Sequence, residues 1–232
     1  MIKIVQDFLH SLGLIIKRVR PENNNWLKGR MIETVLDIGA NTGQFALKIN
    51  QILPQARIYS FEPIRKCYQE LLVNTSAIPV KSFNLALGER EETVEINISK
   101  HSPSSSLLEM AQLHQDVFAG TNYVEQELIQ VKKLDDIAPE LGELGKFLVK
   151  IDVQGFEDRV IKGGLKTLKK ADLIIIETSF QELYKGQVLF HGIYELLSEL
   201  GFVFMGNYSQ SYSSKDGSIL YAESLFSNTH LN

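Results

Sequence analysis

Thr34-Val35-Leu36-Asp37-Ile38-Gly39-Ala40-Asn41-Thr42-Gly43 reads as a buried strand that stops in a glycine-bounded turn and then opens a helix. Glycines at 39 and 43 allow backbone angles closed to other residues and let a ligand come close to the main chain. Asp37 stands near the end of that strand. Glu62 ends the next strand-like run, Ile58-Tyr59-Ser60-Phe61-Glu62, where a carboxylate suits the two hydroxyls of a ribose. A dinucleotide fold would carry G-x-G-x-x-G, with a pyrophosphate against the helix N-terminus. The spacing Gly-Ala-Asn-Thr-Gly lacks the middle glycine, so a nucleoside without phosphates fits better, and S-adenosylmethionine is the common one.

Working outward, strand-like and helix-like segments alternate, which predicts an α/β fold with a mostly parallel sheet covered by helices on both faces. A helix over 43–53 is stopped by Pro54, and a second strand follows over 57–62. Pro63 opens a helix to about Asn74, and 79–87 reads as one third strand. The alternating stretches Thr93–Ile98 and Glu127–Val131 read as an inserted pair that adds an edge to the sheet. Lys146–Asp152 is a buried fourth strand, 156–169 a helix, and Leu173–Glu177 a fifth strand. A helix over 193–200 ends at Gly201, and 202–206 and 219–226 close the sheet. Seven strands with a late adjacent pair match the class I methyltransferase (Rossmann-like) layout better than a plain dinucleotide fold.

At 232 residues, 44% of them hydrophobic, the chain suits one large domain over 31–232, preceded by a helical extension over 1–30 with Ile4, Val5, Phe8, Leu9 and Leu12 on one face. That extension is expected to pack on the domain; a membrane-surface or dimer role is the alternative, and a homodimer is compatible with the sequence. The apolar run Leu12–Ile16 is too short for a membrane span and lacks a signal-peptide pattern. A net charge of −4 argues against nucleic acid as a partner. The single cysteine, Cys67, excludes an intrachain disulfide framework or a cysteine metal cluster and is compatible with a reducing, cytoplasmic setting. The serine-rich stretch 101–106 is either a passive linker or a loop over the ligand.

Several segments, taken in order, resemble the FkbM family of S-adenosylmethionine-dependent methyltransferases. They are Asp37–Gly43, Phe61-Glu62-Pro63, Asn84–Gly88, the serine-rich loop, Lys133–Asp136, Phe147–Glu157, Val160–Gly164 and Ile174–Glu177. Where that family commonly has Asp-Val-Glu-Gly, this chain has Asp152-Val153-Gln154-Gly155, so a neutral amide replaces a carboxylate. The resemblance implies methyl transfer, usually to a hydroxyl of a natural product or sugar, so the expected partner is a small-molecule or glycan hydroxyl acceptor.

In such a fold Asp37, Gly39, Asn41 and Gly43 would shape the methionine end of a cofactor pocket, Glu62 would hold the ribose, and Asn84, Leu85 and Ala86 would receive the adenine. Asp152 and Glu177 end neighbouring strands and are expected to converge on the cofactor or acceptor. Asp152 would contact the cofactor, orient the acceptor, serve as general base or cap the following helix. A divalent cation between the two acids is a minor alternative, and no metal site is expected from the spacing. His191 is the third catalytic candidate, as a base of suitable pKa or as a helix-start residue. His101 and His114 read as solvated, and Tyr184 as packing. A nicotinamide oxidoreductase and a non-catalytic cofactor-binding module are the competing functions.

Overall fold

The computed structural model describes residues 25–229. The expected extension over 1–30 falls almost wholly outside the described residues. Of it residues 25–30 are seen, with Asn25–Lys28 forming helix α1 and Leu27 buried in the core. Along the chain follow β1 (Thr34–Ile38), α2 (Gln44–Ile52), β2 (Arg57–Phe61), α3 (Arg65–Asn74), β3 (Val80–Phe83), β4 (Ala86–Leu87) and β5 (Glu92–Ser99). Next come α4 (Gln112–Val117), β6 (Tyr123–Lys132), α5 (Leu134–Ile137), β7 (Phe147–Ile151), α6 (Glu157–Gly163) and α7 (Leu165–Leu168). The chain then runs through β8 (Leu173–Ser179), α8 (Phe190–Glu199), β9 (Phe202–Tyr212) and β10 (Ile219–Asn228).

Seven strands form the main sheet in the order β3-β2-β1-β7-β8-β10-β9, and only β10 runs antiparallel to the rest. This is the class I methyltransferase layout. The central strands β1 and β7 are buried along their whole length, as parallel strands covered on both faces must be. Alternate residues feed two cores: Leu36, Val149 and Ile174 face α6, α7 and α8, while Val35, Leu148 and Ile175 face α1 and α2.

Three readings of the sequence change in the structure. The stretch 79–87 is two strands, because the chain leaves the main sheet after Phe83 and Asn84 turns back to donate hydrogen bonds to the carbonyls of Glu62 (3.0 Å) and Pro63 (2.8 Å). The inserted pair, β5 and β6, does not extend the main sheet; with β4 it forms a separate sheet, β4-β6-β5. Its apolar side packs Ile96, Ile129 and Val131 over Ile64 and Cys67 of the α3 region. Finally, the helix expected over 156–169 breaks at Gly163-Gly164, where Gly163 lies so close to the Gly88 carbonyl that a Cβ would sit 1.9 Å from it. Among the described residues no helix is long and apolar enough to cross a membrane.

Candidate active site

The chain runs from β1 outward to β3 and then jumps to β7, so the sheet's topological switch lies between the carboxyl ends of β1 and β7. Gly39 and Asp152 face each other there. With φ of +81°, Gly39 has no room for a side chain: a Cβ would lie 1.8 Å from the Asp152 carbonyl oxygen. The glycine is therefore required both by its backbone angle and by the approach of the two strand ends. A cavity of about 550 Å³ opens at this point, reaching past the ends of β1, β2, β7 and β8.

One flank of the cavity carries Gly39, Asn41, Glu62, Leu85 and Ala86. Asn41 adopts φ of +47°, and its backbone N–H donates to Glu62 Oε2 at 2.8 Å; the Ile64 N–H donates to Glu62 Oε1 at 2.9 Å. Each carboxylate oxygen thus holds one backbone donor and retains acceptor capacity toward the cavity. Burial pushes the Glu62 carboxyl up to about 7, although the two amides work in the opposite direction. Leu85 and Ala86 form an apolar wall beside it.

Opposite stand Asp152, Gln154 and Glu177. Lys150 is the lone charge in the otherwise apolar strand Phe147-Leu148-Val149-Lys150-Ile151, and its Nζ reaches Asp152 Oδ2 at 2.8 Å. Gln154 donates from Nε2 to Asp152 Oδ1 (2.8 Å) and to Glu177 Oε1 (3.1 Å). Burial alone would raise Asp152, but the Lys150 charge and these hydrogen bonds bring it below the usual carboxylate range. Glu177 is raised well above that range by burial, and by the charges of Asp152 and Glu157. Two neighbouring acids are thereby driven apart in acidity, Asp152 downward and Glu177 upward, a pattern that suits acid and base work.

Asp152 does not cap α6. No side chain caps that helix; Glu157 Oε1 instead ties down the preceding turn, accepting from the backbone N–H groups of Val153 (3.0 Å) and Gly155 (3.2 Å).

The serine-rich stretch roofs the cavity. His101, Ser102, Ser104 and Ser105 line it, with His114, Phe118 and Thr121 from the segment around α4. Ser106 Oγ donates to the Gln154 carbonyl at 2.6 Å, and Ser102 Oγ lies 3.3 Å from Asn41 Nδ2, so the roof is fastened to both flanks. Tyr184 completes the fastening: its hydroxyl donates to Gln154 Oε1 at 2.7 Å and lies 3.3 Å from His114 Nε2. The other ring nitrogen of His114 lies 3.2 Å from Thr121 Oγ1. His114 is buried, not solvated, and burial lowers its pKa.

Some expected residues do not reach the cavity. Asp37 is fully buried at the end of β1, with Ser60 Oγ 3.4 Å from Oδ2 and Oδ1 without a hydrogen-bond partner. Burial raises its carboxyl to about 6 against the opposing charge of Lys150. Gly43 (φ +92°) lets α2 start against α3, since a Cβ there would lie 2.8 Å from Thr75 Cγ2. Asn84 is an exposed strut for the Glu62-Pro63 turn. His191 projects from α8 into solvent, 83% exposed, and pairs with Glu195 at 3.2 Å one helical turn on; the helical register turns it away from the cavity. The sequence reading missed Lys150, His114 and Tyr184. Lys150 alone left a signal, as a charge inside a buried strand. Among the described residues no group of three or more His, Cys, Asp or Glu side chains is arranged to hold a metal ion.

Residues 37–204 match the Methyltransferase FkbM domain. The 2-O-methyltransferase NoeI of Sinorhizobium fredii (strain NBRC 101917 / NGR234) is 30% identical over 170 residues, covering 70% of each chain. Methyltransferase sdnD of Sordaria araneosa is 30% identical over 156 residues, covering 56% of this chain and 59% of that one. Among solved structures, TehB from Haemophilus influenzae aligns with a TM-score of 0.48 at 9% identity, over 97% of this chain and 67% of that one. The chain belongs to the FkbM methyltransferase family and is an S-adenosylmethionine-dependent methyltransferase.

Proposed function

We propose that the protein methylates a hydroxyl oxygen of a small molecule or sugar, and that the cofactor and the acceptor share the roofed cavity. The observation that carries this reading is the division of one cavity into two chemically distinct flanks, Gly39–Asn41–Glu62–Leu85–Ala86 on one side and Asp152–Gln154–Glu177 on the other.

The first flank fits S-adenosylmethionine. Glu62 offers two acceptor oxygens to a ribose diol, Leu85 and Ala86 offer an apolar slot to adenine, and the Gly39–Asn41 backbone is left bare for the amino-acid tail. The orphaned, buried Oδ1 of Asp37 beneath the turn supports a bound water under that end. A nicotinamide dinucleotide fits less well, because no Lys or Arg among the described residues lines the cavity to meet a diphosphate. Bound S-adenosylmethionine would supply an electrophilic methyl group on a sulfonium sulfur.

The chain's own contribution is alignment, dryness and a proton acceptor. The roof from His101 to Thr121 excludes water. Lys150 and Gln154 hold Asp152 ionised and in place, where it orients an acceptor hydroxyl. Glu177, a stronger base than an ordinary carboxylate once ionised, takes the hydroxyl proton. The relationship to a 2-O-methyltransferase supports oxygen as the methylated atom. The buried free thiol of Cys67 supports a reducing, cytoplasmic setting.

Calorimetric titration tests the cofactor half. S-adenosylmethionine and S-adenosylhomocysteine are expected to bind with one-to-one stoichiometry, NAD is not, and Glu62→Ala is expected to weaken both by roughly tenfold to a hundredfold. Binding of NAD in preference to S-adenosylmethionine would sink the proposal.

A further inference from the structure

The acceptor's half of the cavity is built against negative charge. Asp152 and Glu177 face it, and no Lys or Arg among the described residues lines any part of the cavity. Lys150, the cation behind Asp152, is committed: its Nζ is 2.8 Å from Asp152 and lies over the Phe45 ring at 5.5 Å from the ring's centre. Even the amide that bridges the two acids spends both functions inside the wall, donating to Asp152 and Glu177 while accepting from Tyr184. Of the two imidazoles in the lining, His114 has both ring nitrogens facing hydroxyls already, and His101 stands in the roof, away from the Asp152–Glu177 wall.

The remaining lining divides by polarity. Phe118, Leu183 and Tyr221 form an apolar wall, and the Phe118 and Tyr221 rings stand 6.3 Å apart at 50°. Ser104, Ser105 and Thr121 place hydroxyl-bearing residues in the roof. A carboxylate, sulfate or phosphate entering here would leave water, meet two acids and find no cationic partner, which costs more than any contact in the cavity returns.

We infer that the protein selects its acceptor by charge: the part that enters the cavity is an uncharged or cationic hydroxyl compound with one apolar face, and anionic acceptors are excluded. This inference rests on the assignment of the Asp152–Glu177 flank to the acceptor, and it adds a specificity rule to that assignment.

The test uses the whole protein, S-adenosylmethionine carrying a labelled methyl group, and matched acceptors: neutral alkyl glycosides, and the same rings as uronates and as sugar phosphates. A neutral glycoside is expected to take label at least roughly a hundredfold faster than its anionic counterparts, the discrimination expected when a buried charge is left without a partner. An anionic acceptor labelled within tenfold of its neutral parent overturns the inference and leaves hydroxyl methylation standing. Label on amines with none on hydroxyls overturns the hydroxyl reading instead. A cellular small-molecule extract is treated in parallel and the labelled product passed over an anion-exchange column. Product in the flow-through supports the inference; retained product whose anionic group sits on the same ring as the new methyl overturns it, whichever panel compounds are accepted.

Discussion

Gln154 donates a hydrogen bond to Glu177 at 3.1 Å from the same amide nitrogen that reaches Asp152 at 2.8 Å. Its backbone is held in the left-handed region, φ +56°, a conformation that costs a non-glycine residue on the order of 1 kcal/mol and is found where the surroundings impose it. A residue whose backbone is strained in this way and whose side chain is spent on two acids is a clamp on the carboxylate pair. Gln154→Glu places a third acid at the clamp. Added negative charge raises the neighbouring carboxyl pKa values, so the rise of turnover with pH is expected to move upward by about one pH unit. A pH–rate profile identical to the parent's would remove Gln154 from the account.

Lys150 is the buried charge that keeps Asp152 ionised. Lys150→Met leaves Asp152 and Asp37 without their cation, and is expected to cost about 3 kcal/mol of unfolding free energy at pH 8, measured by urea denaturation. The loss is expected to shrink toward pH 4, as the stranded acids take up protons. A cost independent of pH would mean that Lys150 acts through packing alone.

Stability itself carries a pH signature. Burial raises Asp37 to about 6, and Glu62 and Glu157 to about 7, so the folded protein binds protons that the unfolded chain has already released between about pH 4 and 7. The stability these groups contribute is full below their unfolded pKa and is lost as pH rises through the folded values. Asp152, lowered in the folded state, acts in the opposite sense only below about pH 4. The ligand-free protein is therefore expected to melt roughly 3 to 6 °C higher at pH 5 than at pH 8. Glu62→Gln, neutral at both pH values, is expected to narrow that difference in scanning calorimetry; an unchanged difference would contradict the assignment to Glu62.

Tyr184 ties the roof to the clamp. Tyr184→Phe leaves Gln154 Oε1 without its donor, a loss of about 1 to 2 kcal/mol for a buried acceptor. The segment around α4 is expected to be cleaved sooner by protease than in the parent, and S-adenosylhomocysteine is expected to restore protection less completely. Equal cleavage rates would show that the roof is held elsewhere.

The sheet was legible because it is written locally: apolar runs, the glycine turn at 39–43 and Pro63 mark strands and helices within a few residues of themselves. Glu62, Asp152 and Glu177 were legible for the same reason, since each ends a strand whose direction is set by the parallel topology. His191 misled because its sequence position, at the start of a helix, says nothing about which way the helix faces. The roof was beyond local reading. Tyr184, Gln154, Ser106 and His114 meet only after the chain crosses 30 to 70 residues, and none of them carries a periodic or spacing signal. Asn84 shows the limit from the other side: in the sequence it reads as an adenine-side residue, but its side chain serves the turn at Glu62-Pro63 and not the cavity.

A crystal structure of the complex with S-adenosylhomocysteine tests the central claim most directly. The account predicts both ribose hydroxyls on the Glu62 carboxylate, adenine against Leu85 and Ala86, and the sulfur facing open space bounded by Asp152 and Glu177 under the roof. A ligand with its ribose away from Glu62, or one whose adenine fills the space beside Asp152 and Glu177, would contradict it.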